Sequence, residues 1–314
     1  MRFKKPKFWD LKKPNYISLL LLPFTMPIIL NNFLLKFKSI KKNSKIKTIC
    51  VGNIYLGGTG KTPTTIALFK IIQKLNLKVL TAKKFYKSQI DENIILDKKT
   101  KFISKKNRNM IIDEAVKSNH DVLIFDDGLQ DRTLKYNLNL VCFDAENFIG
   151  NGCLIPSGPL REKLDSLKKY DCVFFKSYDE ITKDKLQLLK RYNSEIRIFE
   201  TFYQISNLEK FDLTEKYLIF SGIGNSKSFH DVLIKNKFNI VNEIVFADHH
   251  NYQKQDVDKI ITQAKSLGAK ILTTEKDYVK VEKLISEDIK FIEIDLIIKK
   301  EKKFIDFLKT KIYD

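Results

Sequence analysis

Residues 51–63, VGNIYLGGTGKTP, restrict this chain more than any other stretch. The run from Ile46 to Val51 before it reads as a short buried strand. Gly57, Gly58 and Gly60 follow, then Lys61 and Thr62, and an apolar-periodic segment starts at once. Strand, glycine loop and helix N-terminus form the context in which a phosphate-binding loop works. Gly57, Gly58, Thr59 and Gly60 would turn backbone N–H groups toward an anion. The helix end adds partial positive charge, and Lys61 adds a full one. Thr62 would present its hydroxyl to Mg²⁺, and Pro63 suits a first helical turn, where a missing N–H costs nothing. The full pattern G-x-x-x-x-G-K-[ST] wants glycine at 55, where this chain has Tyr55.

After the loop, residues 62–75 have helical periodicity and 78–82 read as a strand. Residues 83–110 are polar and lysine-rich and read as a long loop; 111–119 look helical. Residues 121–127, DVLIFDD, carry four apolar residues into two carboxylates, and Gly128-Leu129-Gln130 follows. At the end of a strand beside a phosphate loop, an acidic residue meets the Mg²⁺ of the nucleotide, which favours Asp126 and Asp127 as metal ligands over solvated strand-end caps. Residues 138–144 and 171–176 are further buried strands. Between them, 150–162 is too rich in Gly and Pro for a helix or central strand, and such loops carry function in α/β proteins.

A second α/β pattern begins near residue 206, and the extended segments 196–205 and 291–298 would pair as a ribbon. The expected fold is therefore α/β: a P-loop NTPase-like lobe with a parallel-type sheet and a smaller α/β lobe, joined by a two-stranded β-ribbon. An N-terminal apolar segment precedes them. The expected boundaries are 1–38, 39–205 and 206–314.

In that N-terminal segment, residues 16–30 (YISLLLLPFTMPIIL) are almost wholly apolar, and Lys4, Lys5, Lys7, Lys12 and Lys13 precede them. The run is short for a transmembrane helix, is interrupted by Pro23 and Pro27, and lacks a cleavage site after it. It reads as an interfacial segment with a basic flank, the alternative being a core helix packed on the domain. The formal charge of +19 would suggest nucleic acid or an anionic membrane. Only six basic residues are Arg and the lysines are dispersed, so nucleic acid is not expected and an anionic membrane surface is. The four cysteines sit mostly in apolar runs without metal-ligand spacing, as reduced thiols of a cytosolic protein do.

Asp248-His249-His250 follows an apolar strand. No other His or Cys lies at metal-ligand spacing. The triplet is either a helix N-cap with bystander imidazoles or a site where one imidazole supports proton removal from a hydroxyl. Phosphoryl transfer needs a metal–phosphate clamp, an in-line nucleophile and a group that takes its proton. Lys61, Thr62 and Asp126 or Asp127 cover the clamp, Glu162 is a further candidate carboxylate, and Asp91 is a candidate proton acceptor.

Taken in order, VGN with GGTGKTP, then DDGLQ, GNG with PSGPLRE, SGIGN, ADHH and TEKD resemble the tetraacyldisaccharide 4'-kinase family, the lipid A 4'-kinases, over nearly the whole chain. The resemblance implies transfer of the γ-phosphate of ATP to the 4'-hydroxyl of a tetraacylated glucosamine disaccharide 1-phosphate, giving lipid IVA. It implies ATP and Mg²⁺, a cleft active site, and a peripheral enzyme on the cytoplasmic face of the bacterial inner membrane. It assigns Lys61 and Thr62 to the P-loop, and Asp126, Asp127 and Gln130 to the DDGLQ site. Arg161 and Glu162 become the PLRE pair, with Glu162 toward Mg²⁺. His249 and Asp91 become the catalytic dyad. Three departures fall outside the clamp. The RGY stretch is Lys84-Phe85-Tyr86, GDEP is Ile90-Asp91-Glu92-Asn93, and the histidine after DDGLQ is Asp131. A ParA/MinD-like ATPase switch is the alternative. Such proteins carry lysine just before the two glycines, where this chain has Leu56.

Overall fold

The computed structural model describes residues 5–35, 41–42, 45–131, 134–284 and 289–313; Lys4 and both ends of the expected 1–38 segment lie outside them. The first part of the chain forms α1 Tyr16–Leu21, α2 Met26–Leu34, β1 Lys41–Lys42, β2 Lys47–Gly52, α3 Lys61–Lys74, β3 Val79–Lys84, α4 Ile90–Lys99, β4 Phe102–Lys105, α5 Arg108–Lys117, β5 Val122–Asp126, β6 Leu134–Lys135, β7 Leu138–Asp144 and β8 Cys172–Lys176. There follow α6 Lys183–Tyr192, β9 Arg197–Ile205, β10 Lys216–Ser221, α7 Ser226–Lys235, β11 Asn239–Val245, α8 Lys254–Ser266, β12 Lys270–Thr274, α9 Glu275–Val281, β13 Ile289–Ile292, β14 Ile294–Ile298 and α10 Glu301–Tyr313.

Two compact units result. One holds Lys5–Phe85, Thr100–Phe202 and Leu296–Asp314, and the other holds Tyr86–Lys99 and Tyr203–Asp295. The units are thus not contiguous blocks. The larger one takes α10 from the end of the chain, and the smaller one takes α4 from the middle.

The larger unit contains the sheet order β14-β9-β8-β7-β2-β5-β3-β4, in which β9 through β4 pair in parallel. Strands β5 and β8 are buried at every position, which is why they read as unbroken apolar runs rather than alternating ones. From β2 the chain first builds β3, β4 and β5 on one side and then β7, β8 and β9 on the other. The C-terminal end of β2 is therefore a topological switch point, where α/β sheets bind ligands. Helix α3 buries eight of its residues, among them Leu68 and Ile72. β9 and β14 are antiparallel neighbours, with Lys299 N–H donating to Glu200 O at 2.9 Å and Ser206 N–H to Glu293 O at 3.0 Å. This is the expected ribbon, shortened: its second strand is 294–298, and residues 291–292 belong to β13 instead.

The smaller unit has a four-stranded parallel sheet, β11-β10-β12-β13, over a core that includes Leu218, Phe220, Val257 and Ile260. A long loop at 83–110 is not observed. β3, α4, β4 and the start of α5 occupy it. Asp91 and Glu92 in the first turn of α4, and Lys98 and Lys99 in its last, match the helix dipole, but only Ile95 and Leu96 give it a buried apolar face. With so little periodicity the sequence hides the helix.

The N-terminal segment also differs from expectation. Pro23 and Pro27 lie in first turns and do not end the helical path. Residues 16–34 form a helical run long and apolar enough, by length and composition, to cross a membrane. Only Ser18 and Thr25 in it are buried, while Tyr16, Leu20, Phe24 and Met26 are exposed. That is not the burial of a core helix. The segment is nevertheless anchored to the larger unit. Trp9 is fully buried and its Nε1–H donates to Pro156 O at 3.0 Å. Asn151 Nδ2 donates to Ser18 Oγ at 2.8 Å, and Ser157 Oγ donates to Ser18 O at 2.6 Å.

Candidate active site

The larger unit carries eleven of the expected residues, Gly57, Gly58, Thr59, Gly60, Lys61, Thr62, Asp126, Asp127, Gln130, Arg161 and Glu162. Gly60, at φ 89°, ends the loop in a left-handed conformation and gives way directly to α3, so Lys61 and Thr62 start the helix. The loop is shaped by Asn53, whose Nδ2 donates to Tyr55 O at 2.6 Å and Gly57 O at 3.2 Å. Tyr55, the apparent defect of the motif, is buried, and its hydroxyl donates to Asp10 Oδ1 at 2.6 Å. Leu56 N–H donates to Pro159 O at 2.8 Å and Arg161 N–H to Ile54 O at 2.7 Å. The first half of the loop is therefore laced by its backbone to the PSGPLRE segment. A glycine at 55 would lose the strut to Asp10.

Asp126 and Asp127 do different things. Asp126 Oδ2 accepts from Thr62 Oγ1 at 3.0 Å and from Lys83 Nζ at 3.0 Å, and the Lys83–Asp126 pair is almost wholly buried. Asp126 Oδ1 is buried with no hydrogen-bond partner among the described residues. Asp127 has φ 62°, in the left-handed region that Asp and Asn enter more readily than other non-glycine residues. Its Oδ1 accepts from Arg161 Nη1 at 3.0 Å, and Lys61 Nζ stands 3.9 Å from its Oδ2. Burial alone would push the Asp127 carboxyl up, but Lys61, Arg161 and Lys83 overcome it and hold it down at about 2. Gln130 Nε2 donates to Asn53 O at 2.9 Å and to Glu162 Oε1 at 3.0 Å, and Tyr170 also donates to that oxygen at 3.2 Å. The unexpected Asp131 pairs with Arg108, which also donates to Asp127 O at 2.7 Å.

The smaller unit carries Asp91 and His249. Asp91 sits at the start of α4, with Oδ1 accepting from Glu92 N–H at 3.0 Å. His249 has φ 55° and donates its backbone N–H to Gly222 O at 3.0 Å. Its Nδ1 lies 3.1 Å from Asp91 Oδ2 and 3.3 Å from Oδ1. Burial would raise the Asp91 carboxyl, but the His249 hydrogen bond and the nearby Lys276 and Lys280 bring it below its ordinary value. His250 turns the other way. Its Nε2 lies 3.0 Å from Asp256 Oδ2, and its ring stacks on Phe246 at 4.6 Å. The α8 cap is Gln253, in a capping box with Asp256, so His249 is not a bystander to a cap. The pattern ADHH left these roles open; the side-chain partners separate them.

The model of the tetraacyldisaccharide-1-P 4'-kinase family matches residues 17–101 and 87–313. A tetraacyldisaccharide 4'-kinase of Pelagibacter ubique is 46% identical over 295 residues, covering 93% of both chains. One from Rickettsia canadensis is 35% identical over 298 residues, covering 89% of both. The chain belongs to the tetraacyldisaccharide 4'-kinase family. A crystal structure of the Aquifex aeolicus member, solved with ATP, shares the fold at a TM-score of 0.69 and 21% identity, covering 95% of this chain and all of that one.

Kinases of P-loop type use Mg²⁺, which binds through one or two carboxylates together with phosphate oxygens and waters. Among the described residues no group of three His, Cys, Asp or Glu forms a metal centre on its own. The residues present do fit a shared site. Asp126 offers a buried carboxylate oxygen without a partner among the described residues, and the Thr62 hydroxyl, its proton given to Asp126, keeps lone pairs for a cation. Sequence reasoning missed Lys83, Arg108, Asn53 and Tyr170, each of which holds a residue that it named.

Proposed function

We propose that this chain transfers the γ-phosphate of ATP to the 4'-hydroxyl of a tetraacylated glucosamine disaccharide 1-phosphate, giving a bisphosphorylated lipid of the lipid IVA type. The observation that carries the reading is a family match spanning the chain, joined to a GGTGKT loop whose Thr62 bonds the acidic strand end at Asp126. Gly57, Gly58, Thr59 and Gly60 would cradle the phosphates, and Lys61 and Arg161 would neutralise the charge that moves onto the leaving ADP. Thr62 and Asp126 would hold Mg²⁺, which when bound draws charge from the phosphate oxygens. Asp127 would aim Lys61 and Arg161. Glu162, fixed by Gln130 and Tyr170, would stand beside the nucleotide–metal site.

Asp91 would accept the proton of the sugar hydroxyl as its oxygen bonds to the γ-phosphorus and the bond to the β-phosphate oxygen breaks. A carboxyl held below its ordinary value is a weak base. A loose transition state asks little of the base until late, and an ionised acceptor is ready at any working pH. The exposed apolar residues of α1 and α2 would seat the enzyme on an anionic membrane surface at the cytoplasmic face, where a tetraacylated lipid is presented.

The test is incubation of the purified chain with labelled ATP and the disaccharide monophosphate in mixed micelles. A lipid product carrying two phosphates is expected. Lys61→Ala should lower the rate about 10²–10³-fold, as removal of a charge-stabilising donor does. ATP hydrolysis without lipid phosphorylation would overturn the reading and favour the switch ATPase.

A further inference from the structure

Lys276, the second residue of α9, lies inside the carboxylate–imidazole cluster and has no part in the chemistry above. Its Nζ is 3.1 Å from Glu92 Oε1, 3.6 Å from Asp248 Oδ1 and 3.8 Å from Asp91 Oδ2. It also stands 3.3 Å from His249 Nε2. Burial works against its charge, but Glu92, Asp248 and Asp91 overcome that and hold the ammonium above its ordinary value.

An ammonium has three donors and no acceptor. It can hydrogen-bond Nε2 only if that nitrogen presents a lone pair. The ring proton then sits on Nδ1, the nitrogen that faces both Asp91 oxygens. The charges facing the imidazole are Asp91 and Glu92 from α4, Asp248 from its own loop, and Lys276 from α9; Lys280, also on α9, lies 3.8 Å from Asp91 and pairs with Asp277 at 2.7 Å. Three carboxylates invite a second proton onto the ring. Lys276 is the cation placed where that proton would go.

We propose that Lys276 is a positioning residue that fixes His249 as the Nδ1–H tautomer with a free Nε2 lone pair, so that Asp91, and not the imidazole, takes the proton of the acceptor hydroxyl. The proposal rests on the kinase reading for its consequence in turnover, but the tautomer itself does not. Neutral His249 then donates to Asp91 and orients it without placing a full cation against it. With Lys276 removed, Nε2 takes a proton, and an imidazolium beside Asp91 makes that carboxylate a poorer acceptor.

The experiment is ¹⁵N NMR of the full chain labelled at histidine, paired with kinetics. At pH 7 the wild-type His249 signals should be those of a neutral ring with the proton on Nδ1, and Lys276→Met should show both nitrogens protonated. Lys276→Met should lower kcat about 10–100-fold, less than loss of the base itself, with the KM for ATP unchanged and kcat recovering as pH rises. Lys276→Arg, which keeps a donor-only cation, should hold the neutral signals. A wild-type ring protonated on Nε2 overturns the proposal, whatever the variants do, as does an unchanged ring and pH profile in Lys276→Met. Absence of lipid kinase activity in the wild type overturns the kinase reading and leaves the tautomer measurement standing.

Discussion

At the end of β2, the groups proposed to hold phosphate arrive on short stretches of chain whose backbones are themselves bonded together: Arg161 N–H to Ile54 O, Leu56 N–H to Pro159 O, Asp127 N–H to Val51 O. At the start of α4, Asp91, His249 and Lys276 come from three segments that meet through side chains. The backbone fixes the first arrangement before any charge is considered. The second stands largely on its charges, so a single neutralised residue should rearrange it. In both places a carboxylate is kept ionised against burial, Asp127 by the facing cations Lys61 and Arg161, Asp91 by the His249 hydrogen bond and the cations Lys276 and Lys280. Both carboxyls lie below their unfolded-state values. The stability they contribute is therefore fully present above about pH 4 and is lost as pH falls through the folded-state value.

The largest expected break in this comparison is Asp91→Asn. It keeps the shape and removes the proposed proton acceptor, so kcat should fall about 10²–10⁴-fold with little change in the KM for ATP. Steady-state kinetics on the disaccharide substrate measure it. An effect confined to KM would move the base elsewhere. Because Asp91 ionises below its ordinary range, any acid limb of kcat/KM above pH 5 in the wild type must come from another group.

Lys83→Met asks whether the larger unit's cluster also holds the fold. The Lys83–Asp126 pair is almost wholly buried, and removing one partner leaves an uncompensated charge, at a loss of about 3–5 kcal/mol. Lys276→Met should lower Tm less, since Lys280 still stands 3.8 Å from Asp91 and the His249 ring still faces it. Thermal melts of the two variants side by side decide it. Equal shifts would erase the distinction between a cluster that supports the fold and one that serves the site.

The same distinction explains what could be read from the sequence. Lys61, Thr62, Asp126 and Asp127 were legible because motif, strand and helix N-terminus coincide within a few residues. His249 and Asp91 were legible as separate candidates but as a pair only through resemblance, since 158 positions separate them and no local pattern joins them. Lys83 was read only as the start of a polar loop, yet it is the last buried position of β3, pointing at Asp126. Helix α4 was hidden for a related reason: it packs as part of a unit whose other residues begin at 203, so its buried face answers to partners far along the chain. The apolar character of the N-terminal run was legible, but its tether through Trp9 and Ser18 to 151–157 was not.

The smallest expected effect tests the one irregularity in the phosphate loop. Tyr55 is pushed up by burial and by Asp10, so its phenol stays protonated and acts as a donor. Tyr55→Phe keeps the ring and removes only that hydrogen bond. Asp10 retains Lys5, at 2.8 Å, so no charge is stranded. The loss should be about 1.5–3 kcal/mol, the net worth of a hydrogen bond to a charged group, and kcat should hold, because the loop backbone keeps its bonds through Leu56 and Arg161. A melt and a rate measured on the same sample read both. If kcat falls with stability intact, Tyr55 shapes the phosphate cradle itself, and the backbone lacing would no longer account for how rigidly the larger unit holds its site.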